Sequence, residues 1–204
     1  MRIVRNHLAA LRMLLVFTVL CGLAYPLLVT GVAQAAFPAK ANGSRVELDG
    51  KAVGSSLIGQ NFDLPKKNPN DPDEVAKPDP KYFQPRPSAG SYDPLASGAS
   101  NLGPNDPDLV KTIKERRAAV AAFDGVDPAD VPADAVTASG SGLDADISPA
   151  YAAEQVDRVA KARHLSTAVV RQLVAEHTHG RPLGFLGAPY VDVVTLDLAL
   201  AKLG

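Results

Sequence analysis

Apolar and polar positions divide the chain unevenly. No charged residue lies between Arg12 and Lys40, and Met13 to Phe37 is almost wholly apolar. As a helix rising about 1.5 Å per residue, this run reaches about 36 Å, enough to cross a hydrocarbon layer of about 30 Å. Pro26 falls inside the run and predicts a kink or a neighbouring group that takes up the freed carbonyl. After the run the periods shorten. Within 43–62, Val46 and Leu48 alternate with Arg45 and Glu47, Asp49-Gly50 tolerates positive φ at both positions, and Val53 opens a return strand. That pattern predicts a β-hairpin.

Residues 63–108 are punctuated by ten prolines, which forbid long helices and central strands. The charged stretch 63–81 reads as a surface insertion. Tyr82, Phe83 and Tyr92 then mark an ordered, extended loop. A helix follows, capped by Asn105 or Asp106 with Pro107 in its first turn and Gly125 at its end. Its apolar face is Val110, Ile113, Val120 and Phe123, with Lys111, Lys114, Glu115 and Arg116 toward water. Ser148-Pro149 opens another helix, with Ala152, Val156, Val159 and Ala160 on one face. Ser166 caps a third, with Val169, Val170, Leu173 and Val174 on its apolar side. The final segment, VDVVTLDLALAKL, fits either period; its length and the leading Pro189 favour helix. The predicted fold is α+β, with a single N-terminal transmembrane helix and one exported soluble domain. The divisions fall at 1–12, 13–37 and 38–204, and the soluble part holds a small hairpin region and three to four helices.

Charge and cysteine narrow the setting. A net charge of −1 gives no case for nucleic acid as a partner. Arg2, Arg5 and Arg12 precede the apolar run, so the positive-inside rule puts the N-terminus in the cytoplasm and the soluble domain outside the plasma membrane. Ala33-Gln34-Ala35 also has the form of a leader-peptide cleavage site, but the run before it exceeds the usual leader core of about 7–15 residues, which favours a retained anchor. Cys21 is the one cysteine and lies in the apolar run, so the exported part has no disulfide.

Candidate chemistry centres on Ser139-Gly140-Ser141-Gly142. A nucleophile elbow needs glycine two places before the serine, and Ser141 has Ser139 there. A phosphate loop of the P-loop type needs a lysine that is absent. The amides of such a turn can still hold an anion, but the neighbouring aspartates oppose it. A tight loop leading into a helix is the plainer reading. Glu176-His177-Thr178-His179 is a weak metal signature and reads as a helix end with exposed imidazoles. Ala118 through Asp157 holds eight acids and no Lys or Arg; it lacks the calcium-loop pattern, though such a surface raises the local concentration of cations. No strong catalytic site emerges, and no metal site.

Several long motifs carry a resemblance. GKAVGSSLIGQNF (50–62), YFQPRPSAGSYDPLASGASNLGPNDP (82–107), VPADAVTASGSGLDADISPAYAAEQVDRVAKAR (131–163) and GRPLGFLGAPYVDVVTLDLAL (180–200), with Tyr25-Pro26-Leu27 in the span, are similar to the C subunit of Kdp-type potassium-transporting ATPases. The resemblance implies a non-catalytic accessory subunit of a high-affinity, ATP-driven potassium uptake complex. Its partners are an ATP-hydrolysing P-type subunit, a potassium-channel-like subunit and the lipid bilayer. It further implies a catalytic chaperone that raises the ATPase subunit's affinity for ATP, binding no cofactor on its own and meeting ATP only with that subunit. Family-implied nucleotide positions are Gln60, Ser139, Gly140, Ser141 and Gly142, beside Gly59. Structural or partner-docking positions are Tyr25, Pro26, Tyr82, Phe83, Arg86, Pro87, Ser88, Asn101, Gly103, Pro104, Ser148, Pro149, Gln155 and Arg158. The sequence departs from the family pattern at Ala145-Asp146, where Pro-His is usual, and at Asp192 and Asp197, where Asn is usual. With the soluble domain outside and ATP inside, direct contact with ATP would require an inverted topology, whereas an indirect effect can run through preference for one conformation of the pump. A free secreted enzyme and an anchored cation scavenger are the competing classes.

Overall fold

The computed structural model describes residues 2–68, 70–71 and 74–203. The chain forms two compact units, Met1–Arg45 and Val46–Gly204. The first is helical. Helix α1 (Arg2–Val19) runs through a π-helical turn (Leu20–Ala24) into α2 (Tyr25–Ala36), and a single turn, α3 (Pro38–Ala41), follows. Pro26 explains the π turn. Its nitrogen has no hydrogen to give the carbonyl of Gly22, and its ring would clash there. The backbone widens instead, and the Tyr25 N–H reaches the Leu20 carbonyl one residue further back. The Arg2–Ala36 helix is long and apolar enough to cross a membrane, and none of its most apolar stretch is covered by protein.

The second unit opens with the expected hairpin. Strands β1 (Arg45–Leu48) and β2 (Lys51–Ser55) pair around Asp49 and Gly50, whose φ values of 51° and 74° are both left-handed. Between β2 and α4 (Pro107–Asp124) the described residues hold no helix or strand beyond isolated bridges. A bridge between Asp63 and Pro78 closes the neck of the charged stretch. The remaining elements are α5 (Ala133–Val136), β3 (Asp146–Ile147), α6 (Pro149–Arg163), α7 (Thr167–Glu176), β4 (Thr178–His179), β5 (Tyr190–Asp192) and α8 (Val193–Ala201). Strands β3, β5 and β4 form an antiparallel sheet in that order, with Asp146 opposite Asp192 and His179 opposite Tyr190.

The helix starts are built from their own side chains. The Asp106 carboxylate accepts from the Asp108 and Leu109 amides, and Ser148 and Ser166 accept from Tyr151 and Val169. Each such cap contributes about 1 kcal/mol. Gly125 ends α4 at φ 75°. Helix α6 lies at the centre and packs on α4, α7 and β5. Its Ala152, Val156, Val159 and Ala160 are fully buried with Val170, Val191, Val193, Leu196 and Leu200. Fully burying an aliphatic or aromatic side chain of this size contributes about 1.5–3 kcal/mol. Phe83, from the proline-rich stretch, is also fully buried in this core.

Three details differ from the sequence expectations. The last segment is not helix throughout: Tyr190–Asp192 is a strand, and the helix begins only where the Asp192 carboxylate caps the Thr195 amide at 2.7 Å. Arg116 does not face water; it is half-buried, and its guanidinium donates to the Val136 carbonyl at 3.3 Å. His177 and His179 are not simply an exposed helix end, because a short strand carries His179 onto the Tyr190 ring, 4.8 Å between centroids.

Candidate functional site

The Ser139–Gly142 turn is tied by hydrogen bonds within itself and to residues 88–98. Ser139 is buried and its Oγ accepts the Gly142 amide at 2.9 Å; the Ser141 Oγ accepts the Leu143 amide at 3.1 Å. The Ser141 carbonyl accepts from the Gly98 amide at 2.8 Å and the Ser97 hydroxyl at 3.0 Å. The Ser88 hydroxyl donates to the Gly142 carbonyl at 2.7 Å while accepting the Gly90 and Tyr92 amides. Gly142 is left-handed at φ 67°, and a Cβ there would lie 2.7 Å from the Gly98 carbonyl oxygen. Gly140 has open space around it and no positive φ, so only the second glycine of the pair is required by the backbone.

Around this turn lies a tight knot. Gly59 donates to the Leu143 carbonyl at 2.9 Å, and a Cβ on it would sit 2.5 Å from the Tyr92 ring and 2.6 Å from the Asp144 carbonyl oxygen. Arg86 pairs with Asp144 at 2.9 Å, and the Tyr92 hydroxyl donates to the Arg86 carbonyl at 2.8 Å. Burial, then the Asp144 charge, pushes the Tyr92 phenol up.

Beside the knot is a cavity of about 760 Å³ lined by Ser141, Asp144, Asp146, His177, His179 and Asp192 among others. The fold thus brings imidazoles to the serine loop, which are 35 or more positions away in sequence. Among the described residues no hydrogen bond joins Ser139 or Ser141 to an imidazole. The His177 Nδ1 meets the Leu173 carbonyl at 2.9 Å, and the Ser141 hydroxyl is occupied within its own turn. Nucleophile and base are therefore not assembled. Burial and the charges of Asp144 and Asp192 push Asp146 up to about 6. Asp192 is raised by burial and partly restored by its bonds to Thr195. The described residues hold no cluster of three or more His, Cys, Asp or Glu that could ligate a metal.

Gln60 lies elsewhere. It lines a separate cavity of about 310 Å³ with Phe62, Tyr82, Val194 and Asp197. Asp197 is buried there, its Oδ1 accepts the Phe83 amide at 2.9 Å, and burial raises its carboxyl well above the usual range. The nucleotide-candidate positions thus fall into two places.

A second network pins residues 79–84 onto the helices. Arg158 is bridged to Asp124 at 2.5 Å with both side chains nearly inaccessible, and it donates to the carbonyls of Pro80 and Tyr82 at 2.8 Å. Its other nitrogen reaches the Gln155 Oε1 at 2.6 Å, and that oxygen also accepts the Gln84 amide at 2.6 Å. Glu154 is raised to about 7 by burial and by Asp124. Sequence reading grouped Tyr82, Phe83, Gln155 and Arg158 as structural or docking positions; the structure brings them into one interior network. Ser88 and Arg86 belong to the knot, with Pro87 between them in chain, and Ser148-Pro149 to the start of α6. Asn101, Gly103 and Pro104 are exposed, with Asn101 left-handed at φ 55°. Tyr25 and Pro26 lie exposed on the apolar helix. The Arg158–Asp124 pair escaped sequence reading, because nothing local marks a partner 34 positions away.

Comparison with known proteins gives these arrangements a setting. The family model described as the c chain of K+-transporting ATPase matches residues 7–202. A potassium-transporting ATPase KdpC subunit from Streptomyces avermitilis is 51% identical over 208 residues, covering 96% of this chain and 92% of the relative. KdpC subunits from Kineococcus radiotolerans and Sorangium cellulosum are each 54% identical, the first covering 97% of this chain and 94% of the relative, the second 94% of each. With a match running almost from end to end, the chain belongs to the family of K+-transporting ATPase c chains.

Proposed function

We propose that this chain is the membrane-anchored accessory subunit of an ATP-driven potassium uptake complex. It holds the assembly together and raises the ATP affinity of the hydrolytic subunit. The observation that carries the reading is the family match across residues 7–202, joined to one apolar helix able to cross a membrane. The N-terminus lies in the cytoplasm and the soluble unit outside, an orientation that Arg2, Arg5 and Arg12 before the apolar run support. The partners are the P-type ATPase subunit and the channel-like subunit.

Two features favour an indirect action on ATP. Within the turn the amides of Gly142 and Leu143 are taken by the Ser139 and Ser141 hydroxyls, which weakens it as a phosphate cradle. Gln60 and Ser141 line different cavities. The effect on ATP is therefore indirect: a subunit that binds one pump conformation more tightly shifts the population toward it. A coupling of about 1–3 kcal/mol changes ATP affinity about 5–150-fold.

The test is affinity purification of the C-terminally tagged chain from membranes in mild detergent. The expected result is a full-length bait with a P-type ATPase and a polytopic channel-like protein. A soluble bait that begins at Ala36 and comes down alone would replace the anchor with a cleaved leader and end the subunit reading.

A further inference from the structure

The motif GRPLGFLGAP does no work in the core. It forms the loop between β4 and β5, and residues 179–189 are all exposed. Leu183, Phe185 and Leu186 expose 81%, 71% and 48% of their surface, and none of the three belongs to the buried cluster. Three apolar side chains close in sequence and turned to water mark an interaction site.

The loop is shaped, not slack. Leu183 is held left-handed at φ 55° and ψ 15°, a conformation that a leucine rarely adopts. Gly184 and Gly187 follow at φ 80° and 69°. The Gly184 amide bonds to the Arg181 carbonyl at 2.9 Å, and Leu186 to Pro182 at 3.1 Å. Strain spent on presenting apolar groups to water is useful only against a surface of matching shape.

Charge at the base of the loop restricts the occupant. A groove of about 390 Å³ is lined by Ala188, Pro189 and Tyr190 together with Asp134, Asp144 and Asp146 and one cation, Arg86. Asp144 is paired with Arg86, and Asp134 accepts from Ser148. Asp146 has no cation in an ion pair with it among the described residues, and it faces Asp144 and Asp192. An anionic membrane surface would be repelled by this groove.

We propose that the 180–189 loop and the acidic groove at its base form one docking surface for another subunit of the same pump. That subunit offers an apolar pocket for Phe185 and Leu183 and, beside it, a Lys or Arg side chain for Asp146. The proposal rests on the accessory-subunit reading above.

The experiment uses the full-length chain co-expressed with the other subunits. Phe185→Cys in a Cys21→Ser background carries a thiol-linked photo-crosslinker. A crosslink from the introduced cysteine to another pump subunit, mapped by mass spectrometry next to a Lys or Arg, is the expected result. In parallel, Leu183→Ser with Phe185→Ser should lower the yield of complex about tenfold or more, as loss of a buried apolar anchor does. The melting midpoint of the purified chain should not move, because both side chains are exposed. Crosslinks only to lipid or to a second copy, or full yield from the double variant, would overturn the proposal while leaving the subunit reading intact. Failure of the unmodified chain to bring down any pump subunit would overturn both.

Discussion

At the scale of single residues, two glycines that look alike in sequence have different duties. Gly142 is left-handed and meets the Gly98 carbonyl, whereas Gly140 stands in open space. Gly142→Ala should therefore lower stability by about 2 kcal/mol or more, since it adds backbone strain to a backbone clash. Gly140→Ala should change it by less than about 0.5 kcal/mol. Chemical denaturation of the two variants checks this, and equal losses would remove the special place of Gly142. Asp146 supplies a pH signature. Its folded pKa of about 6 lies above the ordinary 3.8, so the fold holds that proton more tightly than the unfolded chain does. Its contribution is favourable below about pH 4 and is lost as pH rises through 6. Asp146→Asn should thus stabilise the protein at pH 7.5, by about 1 kcal/mol once its half-exposed position is discounted. It should also flatten the stability curve between pH 4 and 6. A variant no more stable at pH 7.5 than the parent would contradict the crowding of Asp146 by Asp144 and Asp192.

At the scale of elements, the proline-rich stretch is held by helices instead of by a ladder of its own. Residues 79–84 have no regular structure, yet Arg158 and Gln155 of α6 and Asp197 of α8 bond to their backbone. Removing Arg158 would leave Asp124 buried without its partner. Arg158→Met should cost about 3–5 kcal/mol, and hydrogen exchange should show residues 79–84 losing protection before α7 does. Uniform loss, or none, would mean that the network does not hold the stretch. What was legible in sequence at this scale follows from locality. The Asp49-Gly50 turn and the caps at Asp106, Ser148 and Ser166 are signals confined to a few adjacent residues, and all are in place. Strands β3, β4 and β5 span two or three residues, too short for an alternation to register. The switch from strand to helix at Asp192 was hidden because Val191, Val193 and Leu196 satisfy both periods. The meeting of His177 and His179 with the serine loop, and of Arg158 with Asp124, depends on the tertiary fold and leaves no local mark.

At the scale of the whole molecule, the described residues hold one helix long and apolar enough to cross a membrane, too little for a transport path, so on the proposed reading potassium crosses through other subunits. The soluble unit carries a serine turn whose hydroxyls hold the Gly142 and Leu143 amides, an interior clamp and one shaped apolar loop. That inventory suits a protein that binds and biases a larger machine. The most direct test of that claim is the Michaelis constant for ATP of the purified pump, measured with and without this chain. The account predicts a constant at least about fivefold higher when the chain is absent, restored when the chain is added back. It also predicts that the isolated chain binds no ATP at concentrations that saturate the complex. An unchanged constant, or saturable ATP binding by the chain alone, would contradict it.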